Sequence, residues 1–333
     1  MFYPLMLVLQ LPFVPRVIAE LEAPVHPATD PTNPEAQFGP YTVSMKTYDL
    51  PSTASDSKDS YMDKITVWYP SGTSSGTNDS STFPFISYAH GMFGGGAVEV
   101  PGYNDLLHTL SSFGYVVGAT HQCSLGCFDD CLSLKKDPPC FGHYYKKQLS
   151  VIDYAREAHA QSPGAGDNEP FKLIDFSVGV GIAGHSMGGQ ATLFSSSYDN
   201  ATDHDIRASV LHHAFSHTFP EPTVPTLVFT GEADNTTPPE TMGIPMYQAA
   251  LAGGVPTGIV DKTLANHHEP DITCMDRNGI SLVGQFTAAW FKVYLDKTPQ
   301  AYGFDFNDML FGDSADSVCN GGDGQMTQCT LNP

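Results

Sequence analysis

The chain has 333 residues, 41% of them hydrophobic, and a formal net charge of −21. This length accommodates one large α/β domain with a sizeable core and requires no second domain. The negative field argues against nucleic acid and anionic membrane surfaces as partners, and no basic run opposes it.

The chain opens with an apolar stretch, Met1 to Leu11, too short to span a bilayer, which needs about 20 residues. Val17-Ile18-Ala19 then offers small or modest residues at the −3 and −1 positions of a cleavage site. Residues 1–19 therefore read as a secretory signal peptide, which makes the protein secreted. A Pro-rich, non-periodic lead-in follows to Pro40, and a domain is expected over 24–319. Strands are predicted at 64–69, 85–89 and 115–119, and a helix at 103–112. Residues 71–82 read as a Ser/Gly/Thr-rich loop. An insertion at 121–143 carries Cys123, Cys127, Cys131 and Cys140. A helix is predicted over 145–161, with Leu149, Ile152 and Ala155 on one face. Further strands are predicted at 180–183, 208–212, 226–230 and 258–264, and a last helix at 280–295. Residues 320–333 read as a C-terminal tail. Strands alternating with helices predict an α/β fold, a mostly parallel sheet with helices on both faces.

Seven cysteines occur, the last three being Cys274, Cys319 and Cys329. In an exported chain they predict disulfides. Zinc held by Cys123, Cys127 and Cys131 with His121 or His143 is the competing reading, but the spacing does not match paired short-spacing finger patterns. Asn78, Asn200 and Asn235 stand in glycosylation sequons, and a glycan on Asn235 would crowd a functional loop. Acidic residues near Asp313 and Asp323 read as solvated surface rather than a calcium site.

Gly184-His185-Ser186-Met187-Gly188 lies between a predicted strand and a predicted helix. Small residues there permit a sharp turn that lifts a serine hydroxyl clear of the sheet. Ser186 is the candidate nucleophile, and the Met187 amide, at a helix N-terminus, is a candidate oxyanion donor. The turn His90-Gly91-Met92-Phe93 follows an earlier strand and offers the Met92 amide as second donor, with Phe93 next in line. A serine hydroxyl needs a base, and the acid and base of such folds follow it in chain order. Gly231-Glu232-Ala233-Asp234 supplies the acid, with Asp234 preferred over Glu232. Of thirteen histidines only His267 and His268 lie downstream of Asp234. This chemistry calls for no metal or organic cofactor.

With these residues in view, the chain resembles the cutinase-like and PET-hydrolase-like polyester hydrolases of the α/β-hydrolase superfamily over 33–319. Similar segments are Asn33-Pro34 with Gly39-Pro40-Tyr41-Thr42-Val43, the Ser186 motif, Val224-Pro225-Thr226-Leu227 leading to Ala233-Asp234-Asn235, and Ala265-Asn266-His267-His268-Glu269-Pro270. The resemblance implies an α/β-hydrolase fold and selects His267 over His268. It also implies Phe215 in place of the family's subsite tryptophan, with Phe93 supplying a second ring to the substrate. His212, His213 and His217 around Phe215, and the insertion 121–143, depart from the family pattern. The first cysteine of the family's terminal disulfide is missing near Phe304, so Cys319 is expected to pair with Cys329 instead.

The leading expectation is hydrolysis of carboxylic esters, polyester or long acyl chains, by a monomer. A narrower lipase, phospholipase or chlorophyllase-like esterase is the second reading, with the insertion as lid or wall. A non-catalytic binding protein on a hydrolase scaffold is the third, and its mark would be a missing triad member.

Overall fold

The computed structural model describes residues 29–30, 33–37, 39–50, 63–73, 82–92, 100–123, 143–161, 169–271, 282–314, 317–320 and 326–333. Residues 1–19, expected to be a signal peptide, and Phe93, Asn78, Cys127, Cys131, Cys140, Cys274 and Asp323 lie outside the described residues.

The strands are β1 (Thr29–Asp30), β2 (Asn33–Gln37), β3 (Tyr41–Asp49), β4 (Lys64–Thr73), β5 (Phe85–Ala89), β6 (Val116–Thr120), β7 (Val180–His185), β8 (Ile206–His212), β9 (Thr226–Gly231), β10 (Thr257–Lys262), β11 (Gln300–Ala301), β12 (Phe304–Asp305) and β13 (Met326–Asn332). The helices are α1 (Asn104–Ser112), α2 (Tyr144–Ala160), α3 (Glu169–Lys172), α4 (Met187–Ser195), α5 (Tyr198–Asp203), α6 (Gly243–Ala252), α7 (Leu282–Tyr294) and α8 (Phe306–Phe311).

One nine-stranded sheet runs β13-β10-β9-β8-β7-β5-β6-β4-β3. From β6 through β5, β7, β8 and β9 to β10 every pairing is parallel, while β3, β4 and β13 pair antiparallel at the edges. This mixed, mostly parallel sheet is the α/β-hydrolase architecture that the sequence led us to expect. Strands β5, β6 and β7 are buried along their whole length. Strands covered on both faces need apolar side chains at consecutive positions, as Val116-Val117 and Ile86 flanked by Phe85 provide.

Successive residues feed opposite cores. Ile86, Tyr88 and Val117 pack with Leu107 of α1, Trp290 and Phe291 of α7 and Phe306 of α8. Phe85, Val116 and Ile182 pack with Leu149 and Ile152 of α2 and Phe171 of α3. Trp290 and Phe291 are fully buried, so truncating either to Ala would cost about 3–5 kcal/mol.

Several segments depart from the sequence reading. Residues 326–332, taken as tail, form edge strand β13 on β10, and Cys319–Cys329 clamps them. The reading missed β3 because it is an edge strand with only Val43 and Tyr48 buried along it. Among the described residues, no helix is long and apolar enough to cross a membrane.

Candidate active site

The candidate residues gather at the C-terminal ends of the parallel strands, where open α/β sheets bind ligands. At the end of β7, Ser186 takes φ 55 and ψ −117 and caps α4. A non-glycine residue with positive φ is strained by roughly 1–3 kcal/mol and persists only when its surroundings fix it. Its amide donates to His212 O at 3.0 Å, and its carbonyl accepts from Phe215 N at 2.9 Å. The flanking glycines are required by space: a Cβ on Gly188 would overlap the carbonyl of Ala89, and one on Gly189 would meet Ala214. Helix α4 starts at Met187, so the Met187 amide is one of the first-turn N–H groups that lack an intrahelical acceptor.

The loop after β10 brings His267 to Ser186, with Nε2 2.9 Å from Oγ. His267 Nδ1 lies 2.9 Å from Asp234 Oδ2, on the loop after β9. Asp234 Oδ1 accepts from the amides of Thr236 and Thr237 at 2.9 and 2.8 Å, and Thr237 Oγ1 lies 2.6 Å from Oδ2. Burial works to raise the Asp234 carboxyl, but the hydrogen bonds from His213, His267 and Thr237 outweigh it and hold it well below the ordinary carboxylate range. The loops after β9 and β10 are also joined through their backbones, Ala233 N donating to Ala265 O at 3.0 Å.

The other candidates sort clearly. His268 is exposed and faces Asp271 at 2.8 Å, away from Ser186. Glu232 is exposed and accepts from Leu264 N at 3.2 Å, leaving the contact with His267 to Asp234. Met92 is half-buried beside Gly91, and a Cβ on Gly91 would sit 3.3 Å from Ser186 Cβ and 2.9 Å from His185 Nδ1. Phe215 is half-buried beside the Ser186 turn, its ring edge-on to His217 at 4.7 Å between centroids. Cys123 is disulfide-bonded and so is not open to zinc, while the His121 ring bonds Thr66 Oγ1 through Nε2 at 2.7 Å.

Three further features tie the site together. His185 bonds His267 O through Nε2 and Tyr103 Oη through Nδ1, both at 2.7 Å. A carbonyl only accepts, so Nε2 carries the proton, Nδ1 accepts from the tyrosine O–H, and Tyr103 Oη accepts from Gly91 N at 3.0 Å. Burial and the neighbouring His267 and His213 hold His185 well below its ordinary pKa, as a neutral ring. This relay fixes the Gly91 turn, the Ser186 turn and the His267 loop to one another.

The second feature is His90, whose ring reaches Gly91 O and Gln122 O at 2.6 and 2.7 Å and links the same turn to the root of the 121–143 insertion. The third is His213, the residue after β8, whose Nδ1 lies 2.9 Å from Asp234 Oδ2 and whose Nε2 lies 3.1 Å from Glu269 Oε2. The sequence signal for it was present only as an unusual cluster of histidines around Phe215.

Donor atoms of His213, Asp234 and His267 lie within 4.8 Å of one another, a spacing a metal ion could bridge. Their facing atoms are already hydrogen-bonded to each other, and Asp234 takes two amides and a hydroxyl besides. The donor set is therefore a saturated hydrogen-bond cluster rather than an open coordination sphere.

Residues 144–309 match the family model PETase, described as PET hydrolase-like. The matched stretch holds Ser186, Asp234 and His267 and does not reach Met92. No curated protein matches the chain. By its fold and by that match, the chain is a PET hydrolase-like serine ester hydrolase of the α/β-hydrolase superfamily.

Proposed function

We propose that the protein is a secreted, monomeric hydrolase of polyesters or long acyl-chain esters that works through an acyl-enzyme on Ser186. The observation that carries this reading is the unbroken line Ser186 Oγ, His267 Nε2, His267 Nδ1, Asp234 Oδ2, with both gaps at 2.9 Å. His267 takes the hydroxyl proton as Ser186 Oγ bonds to the ester carbonyl carbon. Asp234 stabilises the resulting imidazolium. The Met187 and Met92 amides receive the oxyanion. The ester C–O bond then breaks, and the alcohol leaves with the proton from His267. Water repeats the sequence on the acyl-enzyme, releasing the acid and restoring Ser186.

Phe215 supplies the apolar ring of the subsite for the acyl or aromatic moiety, since a ring there gains contact area with flat groups. The net charge of −21 argues against nucleic acid as a partner. A narrower lipase-, phospholipase- or chlorophyllase-like specificity is the second reading. It is favoured by the His90 link between the Gly91 turn and Gln122, which couples one wall of the site to the insertion.

The test is kcat/KM across p-nitrophenyl esters of increasing chain length, set against product release from polyester film, with Ser186→Ala as control. Film hydrolysis abolished by the control supports the polyester reading. A sharp preference for one small soluble ester with an inert film favours the narrower enzyme.

A further inference from the structure

We propose that His213 is a positioning residue of this centre, a doubly donating imidazolium that ties Asp234 to Glu269 on the base loop. The proposal rests on the Ser186–His267–Asp234 reading and deepens it.

The side chain of His213 is fully buried, and each ring nitrogen faces a carboxylate, Asp234 at 2.9 Å and Glu269 at 3.1 Å. A carboxylate oxygen only accepts, so a neutral ring, with one N–H, could satisfy one of these contacts and would set a lone pair against the other. Both contacts together require both protons. Lys262 Nζ lies 2.8 Å from the remaining oxygen of Glu269. The result is a buried row of alternating charge: Asp234, His213, Glu269, Lys262.

The row joins the end of β8 to the loops that carry Asp234 and His267. His213 leaves β8 with φ 43 and donates its amide to Phe229 O of β9 at 2.8 Å. Asp234 is on the loop after β9. Glu269 stands two residues beyond His267, and Lys262 ends β10. One ring therefore holds the carboxylate that orients His267 and also the loop that carries His267. Asp234 Oδ2 stays bonded to His213 whether His267 is neutral or protonated, so the acid cannot swing as the proton moves.

The charged groups facing His213 are Asp234 from the β9 loop, Glu269 from the base loop and Lys262 from β10, with the rings of His185 and His267 each 6.4 Å away between centroids and His212 adjacent in the chain. Burial works against the cation, but the bonds to Asp234 and Glu269 outweigh it and raise His213 to about 9. The tether is intact at neutral pH and opens as pH rises through that value.

The experiment compares wild type, Ser186→Ala, His213→Gln and Glu269→Gln on p-nitrophenyl butyrate from pH 6 to 10, with side-chain 15N NMR of the histidines. Wild-type turnover lost in Ser186→Ala establishes the reaction itself; its failure would sink the functional reading without reference to His213. Given that, His213→Gln is expected to lower kcat about 10–100-fold at pH 7.5 with KM within about twofold, as sub-ångström misplacement of a catalytic group does. Glu269→Gln shifts kcat the same way by less, and serves alone should His213→Gln fail to fold. Wild-type kcat declines above about pH 9 while the His213→Gln profile stays flat there, and the NMR spectrum shows both His213 nitrogens protonated at pH 7.5. Wild-type kcat in both variants at every pH, or a neutral His213 at pH 7.5, overturns the proposal.

Discussion

Two histidines meet the carboxylate of Asp234, and they differ in what faces the second nitrogen of each ring. His267 Nε2 faces a hydroxyl, Ser186 Oγ, at 2.9 Å. His213 Nε2 faces another carboxylate, Glu269, at 3.1 Å. A hydroxyl can give up a proton, so a neutral His267 has something to take. A carboxylate can only accept, so His213 is held as a cation with nothing to exchange. The same side chain against the same acid is thus made a proposed base on one side and a fixed strut on the other by its second partner alone.

Asp234→Asn breaks both sides at once and should give the largest effect. A fall of about 10^4 in kcat is expected, the scale set by serine hydrolase triads that lose their acid. Stability should fall as well, since removing one partner of a buried charge costs about 3–5 kcal/mol. His267→Ala sharpens the contrast: a similar loss of kcat with much less change in the urea midpoint. Equal destabilisation by the two variants would erase the distinction between base and strut.

Alkaline pH attacks only the strut. A group whose folded pKa is raised stabilises the fold fully below its unfolded value, near 6.5 for histidine, and loses that contribution as pH rises through the folded value. With His213 raised to about 9, about 3 kcal/mol should be lost between pH 7 and 10 in urea unfolding. On the acid side, Asp234 and Glu269 are both depressed, so their contributions are present above the ordinary carboxylate range and fade as pH falls through it. A His213→Gln variant that loses as much stability on the alkaline side as wild type would assign the effect elsewhere.

Tyr103→Phe is the next step down, and it touches the Gly91 turn rather than Asp234. It leaves Gly91 N and His185 Nδ1 without their partner, a cost of about 1–3 kcal/mol for buried groups. Turnover should fall about tenfold, the loosened turn giving up part of one oxyanion contact. Unchanged kcat would show that the turn is held by other contacts. The smallest catalytic effect belongs to the far edge of the sheet. Cys319→Ser with Cys329→Ser opens a link of sequence separation 10 and should cost about 2 kcal/mol in Tm-based stability while kcat stays as in wild type.

The parts of this centre that could be read in the chain were local. Gly184 to Gly188 announces its own turn, and the order of serine, acid and histidine leaves few choices downstream. The central strands were legible because burial on both faces demands apolar runs such as Val180 to Ala183. Edge strands make no such demand, which is why Tyr41–Asp49 and Met326–Asn332 were passed over. Helix α6 escaped because Gly243 and Pro245 at its start are poor helix formers. His213 escaped for a different reason. Chain order argues against it as a base, and geometry agrees, since Ser186 faces His267. Its two carboxylates lie 21 and 56 residues away in the chain, and no spacing rule connects them.

The most direct test of the whole account is the intact mass of folded protein after reaction with a fluorophosphonate, followed by peptide mapping. The expected result is one adduct, on Ser186, formed in wild type, slowed sharply in His267→Ala and absent in Ser186→Ala. An unmodified folded protein, or an adduct carried by another residue, would contradict it.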